Sequence, residues 1–458
     1  MITYSRAVPL TKDIIDRTLR TAHGEQAYRL VETLTDAGHD AWWVGGCVRD
    51  MLLGSIPKDI DIATSALPTE LTALFKKTDD SSAALGAVLV SIEGHVFEVT
   101  TFREDDTASD GRHPESVRFG DRRHDAARRD FTVNAMYWHP ISQELYDPYD
   151  GEKDLRERLI RFIGEPKTRI EHDALRLLRA VRFRAAIDGQ YHPDTFTALH
   201  DRAADIAVLS GTRRFRELEK ILLGPHPDIA FEDLWETDVI EALIPELHAC
   251  KGVAQPTVPH GKNDVWTHTM RAIASFTEDH GADVRWATLF HDIGKPKTFS
   301  IEEDRIHFNE HASVGADMAR SILDRLQCPA KRRDKIAWIV DHHMMMGTFK
   351  ELDVERKGYW YYHPWFLELL QLFWLDIAGT HEQRFGFYEE IIADYNAFLD
   401  AHPLPPKPIL DGNDVMAILG IQPGHELGKV LKELYSAQVS GDITTRAEAE
   451  IFLRKRFA

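Results

Sequence analysis

Two adjacent glycines, a pair of aspartates and a scattered series of histidines are the residues of this 458-residue chain whose types and spacing could do chemistry. Val44-Gly45-Gly46 closes a short apolar, aromatic stretch and runs straight into Cys47-Val48-Arg49-Asp50-Met51-Leu52-Leu53, which reads as a helix start. A glycine turn that opens a helix presents backbone N–H groups to an anion. Twelve residues separate Gly46 from Asp59, and Lys58-Asp59-Ile60-Asp61-Ile62 reads as a strand. Side chains alternate on a strand, so Asp59 and Asp61 project from the same face. Two parallel carboxylates repel each other, and a divalent cation bridging to a triphosphate is the natural group between them.

A second constellation runs through Glu171-His172-Asp173-Ala174-Leu175-Arg176-Leu177-Leu178-Arg179-Ala180-Val181-Arg182-Phe183. Asp173, Arg176, Arg179 and Arg182 recur at every third position, so on a helix they form a slowly spiralling polar ridge with Leu175, Leu178 and Val181 opposite. An ion-paired amphipathic helix accounts for that pattern by itself. The third constellation is His268, the adjacent His291-Asp292 followed by Ile293-Gly294-Lys295-Pro296, then His311, His342 after Asp341, and Asp376 within a helical run. Nitrogen and oxygen donors of this kind suit divalent transition ions or magnesium. His343 is placed as well as His342 by sequence alone.

These residues need elements to hold them. Ile14, Leu19, Ala27, Leu30, Val31 and Leu34 fall at helical spacing between Leu10 and Ala37, and Gly38 is placed to stop that helix. Strands are expected at Ala41 to Val44, Asp59 to Ala63, Ala87 to Ile92 and His95 to Phe102, the last two forming a hairpin about Gly94. Arg103 to Asp125 is polar, with turn signals at Asp110-Gly111 and Pro114, and reads as a long functional loop. From Ala126 onward helical periodicity dominates, punctuated at Gly224-Pro225, Gly252 to Gly261 and Ala401 to Pro408.

The length allows about three domains. Hydrophobic residues make up 43% of the chain and aromatic residues 10%, which supplies packed cores and excludes a wholly disordered or fibrous chain. No stretch approaches a membrane span, and Asp13, Asp16, Arg17 and Arg20 interrupt any leader-like segment. Cys47, Cys250 and Cys328 are odd in number and far apart, so a disulfide framework is excluded and a reducing, cytoplasmic compartment is expected. The net charge is -19, yet the segment from Arg156 to Lys220 carries 14 Lys or Arg against 10 Asp or Glu, a balance of +4. A basic island therefore sits in a chain whose remainder is at -23.

Hydrophobic-Gly-Gly, a spacer and Asp-x-Asp resemble the nucleotidyltransferase superfamily that includes DNA polymerase β. Gly45-Gly46-Cys47-Val48-Arg49-Asp50 with Asp59 and Asp61, then Arg128-Arg129-Asp130-Phe131-Thr132-Val133-Asn134-Ala135, then Asp173 to Arg176, together resemble the bacterial-type (class II) tRNA nucleotidyltransferases and their poly(A) polymerase relatives. The resemblance implies Mg2+ ions on Asp59 and Asp61 that align an RNA 3′-hydroxyl with the α-phosphate of an incoming nucleotide. It implies that Gly45, Gly46, Arg49 and Arg129 hold the nucleotide. Asp173 and Arg176 would present hydrogen-bonding edges to cytosine or adenine, with Arg179 and Arg182 as neighbouring phosphate- and nucleotide-side arginines. Glu98 is a candidate third carboxylate. One departure concerns nucleotide choice: the family usually carries Glu directly before this Asp, and His172 stands there with Glu171 displaced by one. Gly211 to Leu222 resembles a later body motif and completes the basic island that could track tRNA phosphates.

The third constellation resembles the HD phosphohydrolase domain. That implies His268, His291, Asp292 and Asp376 as primary ligands of a divalent metal of open identity, His311 and His342 as a possible second site, and phosphate or cyclic-phosphate removal through metal-activated water. The loop from Arg103 to Asp125 resembles the flexible loop needed for the final adenosine, which argues against a CC-only enzyme. The expected fold class is α+β, with a small mixed-sheet nucleotidyltransferase head (residues 1–150), an all-α neck and body (151–255), an HD domain (256–400) and a helical tail (401–458). The expected activity is addition of CCA to tRNA from CTP and ATP, with tRNA and the two nucleotides as partners and neither DNA nor a membrane. The rivals are an A-adding enzyme, a poly(A) polymerase and a chain that acts mainly as an HD phosphohydrolase.

Overall fold

The computed structural model describes residues 10–104, 118–255, 264–352, 354–401, 407–439 and 442–457. The chain divides into two compact units, Met1–Pro245 and Glu246–Ala458. No helix among the described residues is long and apolar enough to cross a membrane.

The first unit opens with α1 (Lys12–Leu19) and α2 (Ala22–Asp36). The sequence periodicity suggested one helix here. Thr21 divides it, because its hydroxyl accepts the Gly24 N–H at 2.9 Å and caps a new helix. The head sheet is built from β1 (Ala41–Val44), β2 (Asp61–Thr64), β3 (Thr78–Asp79), β4 (Ala87–Ile92), β5 (His95–Thr101), β8 (Tyr137–His139) and β9 (Glu144–Tyr146). A separate pair, β6 (Arg103–Glu104) with β7 (Arg118–Phe119), brackets residues 105–117. The turn signals at Asp110-Gly111 and Pro114 thus lie outside the described residues.

Strand order is β3-β4-β5-β2-β1-β8-β9, antiparallel throughout except for the parallel β2–β5 pair. The sheet is mixed, as expected, and β1, an interior strand between β2 and β8, is buried along its whole length. Trp43 sits opposite Trp138 in the β1–β8 ladder, their rings 5.1 Å apart and edge to face, a pairing that helps fix the register. Strand β2 begins at Asp61, so Asp59 precedes the strand and does not lie on its pleat.

Around and after the sheet come α3 (Gly46–Leu52), α4 (Pro68–Leu74), α5 (Arg122–Arg128), α6 (Gly151–Arg156), α7 (Pro166–His172), α8 (Leu175–Ala186), α9 (Pro193–Asp201), α10 (Gly211–Leu222), α11 (Pro227–Glu236) and α12 (Val239–Leu243). A two-residue parallel pair, β10 (Leu159–Ile160) with β11 (Gln190–Tyr191), joins this helical region.

The second unit holds most of α13 (Pro245–His248), then α14 (Val265–Ala274), α15 (Ala282–Phe290), α16 (Lys295–Thr298), α17 (His311–Arg325), α18 (Ala330–His342), α19 (Val354–Tyr361), α20 (Phe366–Gly379) and α21 (Gly386–Ala401). A hairpin of β12 (Phe299–Glu302) and β13 (Arg305–Phe308) interrupts the helices just before His311. Helices α22 (Gly412–Leu419), α23 (His425–Val439) and α24 (Arg446–Phe457) close the chain around an apolar cluster that includes Leu410, Val415, Val430, Leu434 and Leu453.

Candidate functional sites

The head site starts from Gly45, whose φ of +74° between β1 and α3 is left-handed backbone that suits glycine. A side chain there would also crowd Arg129, whose Nη1 lies 3.3 Å from the position a Cβ would take. Gly46 begins α3, and its own would-be Cβ lies 3.7 Å from Arg49. A cleft of about 460 Å3 beside the sheet is lined by Asp61, Glu98, Arg103, Arg128 and Arg129. Acid and base therefore face one cavity.

Asp61 is pushed up to about 6, first by burial and then by the charges of Asp59 and Glu98, with Arg129 opposing. A carboxylate disfavoured by burial and by two like charges fits a divalent cation, which would reverse both effects. Glu98, left open by the sequence, shares this cleft through the parallel β2–β5 pairing. Asp59 is largely exposed outside it and accepts the Ile60 N–H. His23 went unnoticed in the sequence: it stacks on Phe97 at 4.5 Å and points Nε2 at Asp59 Oδ1, 3.8 Å away.

The arginines expected to hold nucleotide converge, and Phe183 is what gathers them. Arg49, Arg179 and Arg182 all lie over its ring, at 5.1, 5.2 and 4.2 Å. Arg49 also donates to Asn134 Oδ1 and Asp50 Oδ1 at 2.8 Å each, and Arg179 Nε donates to the buried Asp130 at 2.7 Å. Arg129 is tied to Asp125 and the Tyr137 hydroxyl. Phe183 was legible only as an apolar helix position.

The helix expected through Glu171 to Phe183 is broken at Asp173, which is extended between α7 and α8, so only Arg176, Arg179 and Arg182 form the ridge on α8; helix α10 holds both Asp173 and that ridge. Arg213 donates to Asp173 Oδ1 at 2.9 Å, and Arg182 donates to the buried Glu217 at 2.5 Å. Arg213 and Glu217 are four residues apart, hence on one face of α10. Asp173 Oδ1 also accepts the Leu175 N–H at 3.1 Å. Arg176 donates to the carbonyl of Arg169, and Arg169, buried and unremarked in the sequence, donates to the carbonyls of Arg128 and Arg129. Of the displaced pair before Asp173, Glu171 is bound to Arg202 at 2.7 Å and His172 is exposed.

In the second unit, α14, the end of α15 and α20 bring His268, His291, Asp292 and Asp376 together. His268 Nε2 lies 3.1 Å from His291 Nε2 and 2.9 Å from Asp376 Oδ1. The ring of His268 needs Gly379, since a Cβ there would sit 2.9 Å from its Cε1. Asp292 reaches both ways: Oδ2 is 3.3 Å from His291, while Oδ1 is 3.6 Å from His311 and 3.9 Å from His343. His343 replaces His342 in this second group. Neighbours on a helix point about 100° apart, and His342 turns away to stack on Trp338 at 4.3 Å, its Nδ1 donating to the Trp338 carbonyl.

Nδ1 of His291, His311 and His343 donates to the carbonyls of Thr288, Phe308 and Val340 at 2.7, 2.8 and 2.6 Å. Each Nε2 is thereby aimed inward, because a backbone carbonyl behind the ring fixes its orientation and tautomer. Burial opposes a proton on His291, but Asp292 and Asp376 raise it to about 10; Asp292 itself is held well below the usual carboxylate range by His291 and Lys295 despite burial. A cation would take the place of that proton. Two groups of donors, His268, His291 and Asp292 and then Asp292, His311 and His343, have their ligand atoms close enough together that each would hold a divalent cation. Lys295, which the sequence left without a role, donates to Asp292 Oδ2 at 2.6 Å and to Gln255.

Comparison with known proteins follows the same division. Residues 41–161 match the poly A polymerase head domain, residues 190–251 the probable RNA and SrmB-binding site of polymerase A, and residues 265–376 the HD domain. The CC-adding tRNA nucleotidyltransferase of Thermus thermophilus is 33% identical over 438 residues, covering 90% of this chain and 93% of that one. The A-adding tRNA nucleotidyltransferase of Deinococcus radiodurans is 31% identical over 430 residues, covering 90% and 94%. Among solved structures, the Bacillus stearothermophilus CCA-adding enzyme in complex with CTP is 27% identical, with a TM-score of 0.67 over 95% of this chain and 98% of that one. With likeness running nearly end to end, the chain belongs to the tRNA nucleotidyltransferase and poly(A) polymerase family and carries an HD domain.

Proposed function

We propose that this chain adds CCA to tRNA 3′ ends from CTP and ATP without a nucleic-acid template. The observation that carries this reading is the head cleft, where Asp61 and Glu98 stand opposite Arg128 and Arg129 in one cavity. Asp59 and Asp61 would hold Mg2+, with Glu98 as a third carboxylate. Bound there, the metal supplies activation of the RNA hydroxyl and charge neutralisation at the triphosphate.

The chain's own residues do the rest. Gly45, Gly46, Arg49 and Arg129 bind the nucleotide, and Arg179 and Arg182, packed on Phe183, orient it. Asp173 accepts from the exocyclic amino group that cytosine and adenine share, while Arg176 donates to the ring acceptor beside it. Uracil offers an acceptor where Asp173 needs a donor, so it is refused. The basic segment 156–220 follows the tRNA phosphates. In this reading residues 1–150 are the catalytic head, 151–255 the neck and body that choose the base, 256–400 a metal-dependent HD phosphohydrolase and 401–458 a helical tail.

A second reading, addition of A alone to CC-ended tRNA, is favoured by the end-to-end likeness to the Deinococcus radiodurans A-adding enzyme. Transcripts ending before CCA, after C and after CC, each given CTP and ATP singly and together with magnesium, separate the two. Completion from every start is the expected result. Addition to the CC-ended transcript alone would establish the second reading, and no addition anywhere would leave the HD domain as the main activity.

A further inference from the structure

In the second unit, α19, α23 and α24 line a pocket of about 610 Å3 whose lining includes none of the residues of the two sites described above. A volume of that size suits a small organic ligand. Its lining joins aromatic faces to positive charge: Tyr359, Trp360 and Phe452 with Lys429 and Lys432. The two lysines lie three residues apart on α23, hence on one face of the helix. Neither makes an ion pair among the described residues, whereas Arg456 on the same lining is tied to Glu433 at 2.6 Å. The lining also carries the acids Glu433 and Asp442, but with Arg356 and Arg456 its four cations outnumber them, so in a chain of net charge -19 the two lysines beside an aromatic wall form a local attractor for anions.

The aromatic wall is backed by a stack. Trp338 is sandwiched between His342 at 4.3 Å and His363 at 4.1 Å, and Trp360 packs against both Trp338 and His342, at 6.0 and 5.5 Å. Tyr359 meets Trp360 edge to face at 5.3 Å. Here lies the use of His342, the histidine that turns away from the metal-type group. A planar face held by stacked neighbours, with cations close by, is the combination that binds a base and its phosphate with little preference among bases.

We propose that this pocket binds a nucleoside phosphate, its base against Tyr359 and Trp360 and its phosphate on Lys429 and Lys432. The same chemistry is offered by a free nucleotide and by one nucleotide of an RNA chain, and the two are separable by experiment. Nothing in the proposal depends on what the head catalyses.

The test uses the full-length chain, its Lys429→Glu/Lys432→Glu and Trp360→Ala forms, and Lys429→Gln/Lys432→Gln in case charge reversal disturbs folding. Equilibrium dialysis with labelled ATP counts nucleotides per chain, and filter binding with a tRNA transcript lacking CCA measures affinity across a salt series. If free nucleotide is the ligand, the lysine and Trp360 forms lose one ATP equivalent that the unaltered chain binds. If an RNA nucleotide is the ligand, ATP stoichiometry is unchanged, tRNA affinity falls about tenfold in each form, and the lysine forms flatten the salt dependence by about one to two units of slope. Unchanged ATP stoichiometry together with unchanged tRNA affinity in folded lysine forms overturns the proposal.

Discussion

The Nε2 atoms of His311 and His343 face each other at 3.3 Å. Both Nδ1 atoms donate to backbone carbonyls, which can only accept, and burial lowers both imidazoles, His343 to about 4. Two lone pairs aimed at one point, with Asp292 Oδ1 beside them, call for a cation. Purified in the presence of Mn2+, the chain should therefore retain about two ions in its second unit. His343→Ala should lose one of them and His342→Ala none, as read by elemental mass spectrometry. Equal metal content in the two variants would remove the distinction drawn here between the neighbours.

Gly379→Ala tests the other half of the same centre. An added Cβ would meet the His268 carbonyl at 2.8 Å and its ring at 2.9 Å, and backbone contacts that short force a shift. His268 should move off Asp376, with loss of the ion held by His268, His291 and Asp376 and retention of the one near His311. Loss of neither ion in the folded variant would show that the helix α20 yields without moving the ligand.

Asp61 and Asp292 lie in different units of the chain, so their losses should be separable. Asp61→Asn and Asp59→Ala should each lower nucleotide incorporation by at least about a thousandfold while any phosphatase activity on small substrates persists, and Asp292→Ala should do the reverse. A folded variant that loses both activities would refute the separation. Of the two head aspartates, Asp61 should be the less tolerant, because it lies within the cleft while Asp59 stands outside its lining.

Arg213 holds the oxygen of Asp173 that the Leu175 N–H also holds. Releasing that grip leaves the carboxylate free to turn, and the uracil face it should repel becomes tolerable. Arg213→Ala is expected to raise UTP incorporation relative to CTP by about tenfold, with Arg213→Lys restoring part of the preference. Arg176→Ala should blur the choice between CTP and ATP more strongly. An unchanged UTP:CTP ratio in Arg213→Ala would make the ion pair a packing contact only, consistent with the small worth of exposed pairs.

What could be read from the chain follows from range. Strand β1 and the β4–β5 hairpin announce themselves in four to seven consecutive residues, and five of their six bounds fall where periodicity places them, the exception being the end of β5 at Thr101 rather than Phe102. Asp59 did not join the strand it was assigned to, since the alternation of Lys58 to Ile62 is satisfied equally well by a turn ahead of β2. Histidines on separate helices were recognisable as a set, but a one-residue choice such as His342 against His343 depends on helix phase, which sequence spacing does not carry. Phe183, Arg169 and Arg213 were hidden for a different reason. Each acts by a contact across tens of residues, and a lone Phe or Arg on a helix has the same local pattern whether or not it makes one.

Asp233 offers a pH test away from every catalytic group. Burial is the main cause that pushes it up to about 6, with the Tyr191 hydroxyl donating to it at 2.6 Å and Arg184 nearby pulling the other way. A carboxyl whose folded pKa lies above its unfolded value of about 4 binds its proton more tightly when folded. Its contribution is therefore fully present below about pH 4, declines as pH rises through 6, and is absent above that. A shift of about two units corresponds to about 3 kcal/mol across that window. Asp233→Asn keeps an uncharged side chain at every pH, so its melting temperature relative to the unaltered chain should improve between pH 4.5 and 7.5 by several degrees. A difference in melting temperature that stays constant across the window would show that Asp233 is ionised in the fold throughout, with Arg184 outweighing burial.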